Sequence, residues 1–213
     1  MTFDALRARM VEEQLRARGI QHPRVLSAFL AVPRHAFVPS ELQADAYEDR
    51  PLPIGNGQTV SQPYIVALML ELLHLEGHER VLEIGTGSGY ELALLSHLAL
   101  EVYSVKRIPG LAVDARDRLN ALGYLNIEIG VRNGTLGWQE HAPYDAILVS
   151  AGAPEVPTPL LEQLADPGRL VIPVGSADAQ TLTLILKEQN RLTAKAITSC
   201  AFVPLVGEYG WPE

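Results

Sequence analysis

The chain has 213 residues, enough to bury a sizeable core and few enough for one α/β domain with a small extension. Its 47% hydrophobic and 20% charged residues exclude a disordered chain, and a formal net charge of −8 argues against tight nonspecific binding to DNA or RNA. One cysteine, Cys200, cannot form an internal disulfide; with no apolar signal core and no run of membrane-spanning length, a soluble, cytoplasmic protein is expected.

Phe3, Leu6, Met10, Val11 and Leu15 repeat at helical spacing, predicting a helix over 3–18 that Gly19 ends. A second helix is predicted from Pro23 to Leu30, stopped by Val32-Pro33. Residues 34–53 read as an irregular but packed extension, because Phe37, Val38, Leu42 and Tyr47 are spread through it. Leu52-Pro-Ile-Gly-Asn-Gly-Gln-Thr-Val-Ser-Gln-Pro63 is a glycine-bearing loop running into a helix, with Ser61 as the expected N-cap. Tyr64–Leu75 is apolar almost all round, so that helix is expected to be buried. His74 and His78 are four apart with Gly77 between them; a solvated turn is expected there, and no metal site.

Glu79–Ile84 reads as a β-strand and Glu91–Leu100 as a helix, so Gly85, Gly87 and Gly89 fall on the turn between them. Glycine permits positive φ and lets another molecule approach without meeting a Cβ, and the following helix N-terminus offers unpaired N–H groups. The pattern predicts a nucleotide-type site at the C-terminal edge of a parallel sheet. The spacing is Gly-x-Gly-x-Gly, not the Gly-x-Gly-x-x-Gly of dinucleotide folds. It has the shape typical of S-adenosylmethionine-dependent methyltransferases, the alternative being a purely structural turn.

The alternation continues with strands at 101–105, 126–131, 144–150 and 169–174 and helices at 111–122 and 159–164. Strand-like runs at 181–187 and 194–203 form an expected hairpin around Gln189-Asn190. Strand and helix in alternation predict an α/β doubly wound, mostly parallel sheet with helices on both faces. The tail from Gly207, with Tyr209 and Trp211, is expected to be poorly ordered.

Four segments together resemble the protein-L-isoaspartate O-methyltransferase family: Leu52–Pro63, Val81–Tyr90, Ala142–Pro157 and Phe202-Val-Pro-Leu205. The resemblance covers nearly the whole chain and includes Gln14–Ile20 and Val32-Pro-Arg34. It implies a seven-stranded Rossmann-like methyltransferase sheet over 61–213, with a helical extension and substrate loop over 1–60. It also implies S-adenosylmethionine as cofactor, S-adenosylhomocysteine as product, and isoaspartyl-containing peptides and proteins as partners, with a monomer as the working unit. The implied activity is methyl esterification of the isoaspartyl carboxylate, the first step of its repair.

By the same resemblance Ser61 is the active-site hydroxyl. Glu83, Gly85, Thr86, Gly87, Ser88, Gly89, Lys106, Asn133 and Gly134 occupy the cofactor-binding positions. Ile54, Gly55, Gln58, Thr59 and Val60 shape the peptide groove with Val203, Pro204 and Leu205. The chemistry agrees with such a site. A carboxylate with a solution pKa near ~4 is already ionised at pH 7 and needs no strong base, so positioning and exclusion of water carry the acceleration.

Two positions depart from the family pattern. After the second strand the family carries Val-Glu-Arg-Ile, whose carboxylate accepts from the ribose hydroxyls; here Val105-Lys106-Arg107-Ile108 stands. After the third strand Arg132-Asn133-Gly134 replaces Gly-Asp-Gly. Lys106 offers only donors, whereas Asn133 keeps an acceptor oxygen. Two other readings follow: a methyltransferase-like peptide-binding module without cofactor, and an NADP-type oxidoreductase using Lys106-Arg107 for a 2′-phosphate. The glycine spacing and the loop at 52–63 argue against the second of these. Asn56-Gly57 and Asn133-Gly134 are also the dipeptide context most prone to deamidation.

Overall fold

A computed structural model describes residues 1–212. The N-terminal helix α1 (Phe3–Met10) starts where the Thr2 hydroxyl accepts from the Ala5 N–H. It continues through a π-helical turn (Val11–Leu15) and a 3₁₀ turn (Arg16–Arg18), and Gly19 ends it at φ 97°. Met10, Val11 and Leu15 are buried, so the predicted apolar stripe is the face that packs. Helix α2 (Pro23–Ala31) adds Val25, Leu26 and Phe29 to the same core.

A small antiparallel ribbon follows, β1 (Leu52–Gly55) and β2 (Gln58–Val60). Asn56 and Gly57 form its tip at φ 52° and 66°, the positive-φ pair of a type I′ turn, which gives that Asn-Gly a structural role. Helix α3 (Pro63–Leu73) is buried as expected, and His74 closes it in the left-handed conformation at φ 53°. Ser61 is not its cap. Gln62 holds the cap position without a side-chain bond, and Asp49 does the work: Oδ1 accepts from the Tyr64 N–H at 3.2 Å. The capping group thus comes from the extension, which local sequence does not reveal.

His74 and His78 are both exposed, as expected of a turn, and the Glu79 carboxylate accepts from the N–H groups of Glu76, Gly77 and His78. The imidazole that approaches His74 is that of His22, with ring centroids 5.3 Å apart.

The main sheet comprises β3 (Arg80–Ile84), β4 (Glu101–Lys106), β5 (Ile127–Val131), β6 (Tyr144–Val149), β7 (Leu164–Gly175), β8 (Gln180–Glu188) and β9 (Arg191–Cys200). Its spatial order is β5-β4-β3-β6-β7-β8-β9, parallel through β7 and antiparallel beyond. Helices α4 (Tyr90–Leu98), α5 (Pro109–Ala121) and α6 (Thr158–Gln163) join the parallel strands. From β3 the chain winds outward to β4 and β5, then returns to β6 on the other side. That reversal creates a crevice at the carboxyl ends of β3, β4 and β6.

Two strand expectations need correction. A strand over 169–174 is expected, yet β7 begins at Leu164 and runs through Asp166-Pro167-Gly168, with a register shift against β6 between Tyr144 and Ala146. The last strand ends at Cys200, not 203. The Gln189–Asn190 turn is as expected, with both residues at positive φ. Residues 203–205 instead cross to Gly152, whose N–H donates to the Val203 carbonyl and whose carbonyl accepts from the Leu205 N–H, each at 2.8 Å.

The tail is not loose over residues 207–212. Trp211 donates through Nε1 to the Gly152 carbonyl at 3.0 Å and through its N–H to Leu205, and the Tyr209 N–H meets the Thr135 hydroxyl.

Candidate active site

The carboxyl ends of β3, β4 and β6, the ribbon β1–β2 and the crossing segment 203–205 enclose one cavity of about 780 Å³. On one side stands the glycine turn. Gly85, Gly87 and Gly89 all have positive φ, at 113°, 52° and 91°. They serve different ends. A Cβ on Gly89 would lie 3.2 Å from Leu119, so this position lets α4 pack on α5. A Cβ on Gly87 would lie 3.8 Å from the Gly85 carbonyl oxygen and 3.9 Å from Ile54 Cδ1 and the Thr59 carbonyl oxygen, so the ribbon touches the glycine turn here, and Gly87 lines the cavity.

Beyond the turn, Thr86 and Ser88 line the cavity with Ile84, Val105, Ile108 and Gly134. Behind the lining, the Tyr90 hydroxyl lies against the buried Arg34 guanidinium and the Glu91 carboxyl against that of Glu83.

Behind the turn lies a network the sequence did not reveal. Ser104 Oγ donates to Glu83 Oε2 at 2.8 Å and lies 2.7 Å from the Thr86 hydroxyl, while Ser150 Oγ donates to Glu91. Burial, reinforced by the neighbouring Glu91, pushes the Glu83 carboxyl up to about 8. Burial raises Glu91 as well, so the pair retains a proton at neutral pH. Glu91 and Ser150 reach the cavity wall; Glu83, expected at the cofactor, is fully buried and does not.

Gln58, Thr59, Val60 and Ser61 also line the cavity, as do Val203, Pro204 and Leu205. Ile54 and Gly55, expected in the groove, lie off this wall: Ile54 points its Cδ1 towards Gly87 from the ribbon, and Gly55 sits at the ribbon's irregularity. Asn133 is also off the wall. Its Oδ1 caps the following turn by accepting from the Thr135 N–H at 3.1 Å and the Thr135 hydroxyl at 2.9 Å.

Ser61 lines the cavity, and its hydroxyl makes no hydrogen bond within the described residues. Its backbone is held by Arg34, a residue absent from the expected site. Arg34 is fully buried; Nε donates to the Ala46 carbonyl at 2.7 Å, Nη2 donates to the Ser61 carbonyl at 2.8 Å, and the guanidinium lies 4.9 Å from the Tyr90 ring centroid. Only its place in Val32-Pro-Arg34 hinted at it. Lys106 does stand at the cavity, but its Nζ donates to Gln58 Oε1 at 2.9 Å; burial pushes its ammonium down and the Glu83 carboxyl opposes that.

Comparison with known proteins agrees with this geometry. The family model for protein-L-isoaspartate(D-aspartate) O-methyltransferase matches residues 6–210. The chain is 56% identical to the protein-L-isoaspartate O-methyltransferase of Geobacter metallireducens, over 99% of this chain and 98% of that one. It is 54% identical to that of Methanoculleus marisnigri, over 96% and 93%. A solved protein-L-isoaspartate O-methyltransferase superposes with a TM-score of 0.86 at 30% identity, covering 96% of this chain and 67% of that one. A putative one from Plasmodium falciparum, solved with S-adenosyl-L-homocysteine, gives 0.80 at 26% identity, covering 92% and 96%. With a family match spanning nearly its whole length, the chain belongs to the protein-L-isoaspartate(D-aspartate) O-methyltransferase family.

Proposed function

We infer that this protein methylates the carboxylate of isoaspartyl residues in damaged proteins, using S-adenosylmethionine. The observation that carries the reading is one cavity lined by both the glycine turn and the Gln58–Ser61 segment. The walls suit the donor. Gly87 lines the cavity without a side chain, and the apolar Ile84, Val105 and Ile108 beside Gly134 suit an adenine.

Bound there, S-adenosylmethionine supplies an electrophilic methyl group, and the acceptor carboxylate needs no deprotonation at neutral pH. The chain's own task is therefore geometric. Arg34 fixes the backbone of Ser61, which leaves the Ser61 hydroxyl free to hydrogen-bond the acceptor. The ribbon and residues 203–205 exclude water from the space between the two walls.

The remaining assignments stand with this reading: Thr59, Val60 and Val203–Leu205 as the peptide groove, residues 1–60 as an extension serving the 61–213 domain, and a cytoplasmic monomer without nucleic-acid partners. No helix among the described residues is long and apolar enough to cross a membrane. A methyl-transfer assay with an isoaspartyl peptide beside its aspartyl twin tests the function. Transfer to the isoaspartyl peptide alone is expected, and equal transfer to both or none to either refutes it.

A further inference from the structure

Lys106 ends β4 on the cavity wall, yet it is only 6% exposed. Its ammonium offers donors alone, and the acceptor it meets is the side-chain oxygen of Gln58. Gln58 opens β2, one residue past the tip of the ribbon. The ribbon pairs with no strand of the main sheet, and a two-stranded ribbon is marginal by itself. Its position over the cavity therefore depends on side-chain contacts. Among the described residues, Lys106–Gln58 is the side-chain hydrogen bond that ties residues 52–60 to the seven-stranded sheet. Packing adds a second contact, with Ile54 lying over the Gly87 turn.

We propose that Lys106 is a positioning residue for methyl transfer: by holding Gln58 it latches the ribbon 52–60 to the end of β4 and keeps the acceptor wall in register with the donor wall. The bond is charge-assisted and part-buried, which makes it stronger than a fully exposed contact between the same groups. The functional half of this proposal rests on the ribbon being acceptor-binding; the mechanical half does not.

Hydrogen exchange of the ribbon amides in ligand-free protein tests the latch independently of activity. Lys106→Met and Gln58→Ala are each expected to speed exchange across 52–60 about tenfold, the gain from one charge-assisted hydrogen bond. The double variant is expected to match either single one, because both remove the same bond. Lys106→Arg, still a donor, is expected to restore protection. Unchanged exchange in both single variants, or additive effects in the double, overturns the latch. Gln58 lies on a surface ribbon, so Gln58→Ala decides the matter even where Lys106→Met misfolds.

In steady-state kinetics the KM for an isoaspartyl peptide is expected to rise several-fold in Gln58→Ala and Lys106→Met and to return in Lys106→Arg, with donor affinity by calorimetry unchanged in Gln58→Ala. A fall in donor affinity without a change in peptide KM overturns the positioning role. Absence of transfer by the wild-type protein strikes the proposed function and leaves the exchange result to judge the latch.

Discussion

The Arg34 guanidinium reaches 2.8 Å from the carbonyl oxygen of Ser61, joining a buried cation of the N-terminal extension to the backbone of the proposed active-site residue. Its second bond, to Ala46, anchors it within the extension. The extension is therefore part of what holds the Ser61 segment in place, and its apolar core is continuous with that of the sheet.

Replacing Arg34 by Met leaves two carbonyls without their donors in the interior. A loss of roughly 2–4 kcal/mol is expected, read from denaturant melts at constant m-value. Turnover is expected to fall further than donor affinity, since Ser61 loses its anchor. A variant as active as the wild type once folded removes Arg34 from the positioning of Ser61.

Ser61→Ala separates chemistry from capping. With Asp49 satisfying the helix start, the melting temperature is expected to stay essentially unchanged. The specificity constant for an isoaspartyl peptide is expected to fall about two- to tenfold, one hydrogen bond's contribution, with donor affinity by calorimetry intact. A stability loss with full activity would restore Ser61 to a capping role.

Asp49→Ala tests the other half of that division. It removes the acceptor for the Tyr64 N–H and for Gln62 Nε2, so about 1–2 kcal/mol of stability is expected to go. An Asp49→Ala protein that melts with the wild type contradicts the remote cap.

Glu83 gives a pH signature. Its carboxyl, raised by burial to about 8, keeps its proton in the folded state through a range where the unfolded chain has released it. The native state then binds more protons, so stability falls as pH rises from the ordinary glutamate range to about 8. Glu83→Gln holds its hydrogen without titrating and is expected to flatten this slope. At pH 8 it is expected to melt above the wild type, with the difference closing as the pH falls towards 5. Parallel melting curves for the two proteins across pH 5–8 refute the assignment.

The fold was legible because its signals are local and repeated. The period-2 and period-3.6 stretches alternate along the chain, and Gly85, Gly87 and Gly89 announce a strand-to-helix turn wherever they occur. The site was legible where it follows from that turn or from the stretch preceding α3. Sequence position misplaced Glu83, Ile54, Gly55 and Asn133, because a residue beside a wall in the chain points into the core or along a ribbon according to the pleat and the packing.

What the sequence by itself determined is the strand–turn–helix order, the ligand class that a bare glycine bend accepts, and the family. Only the tertiary structure decided that Asp49 rather than Ser61 caps α3, that Arg34 grips Ser61, that Lys106 turns to Gln58, and that the tail docks on Gly152. The physical reason is range. Helix, strand and turn preferences arise among residues a few positions apart, whereas these hydrogen bonds join groups 15 to 59 residues apart that meet only after the layers have packed.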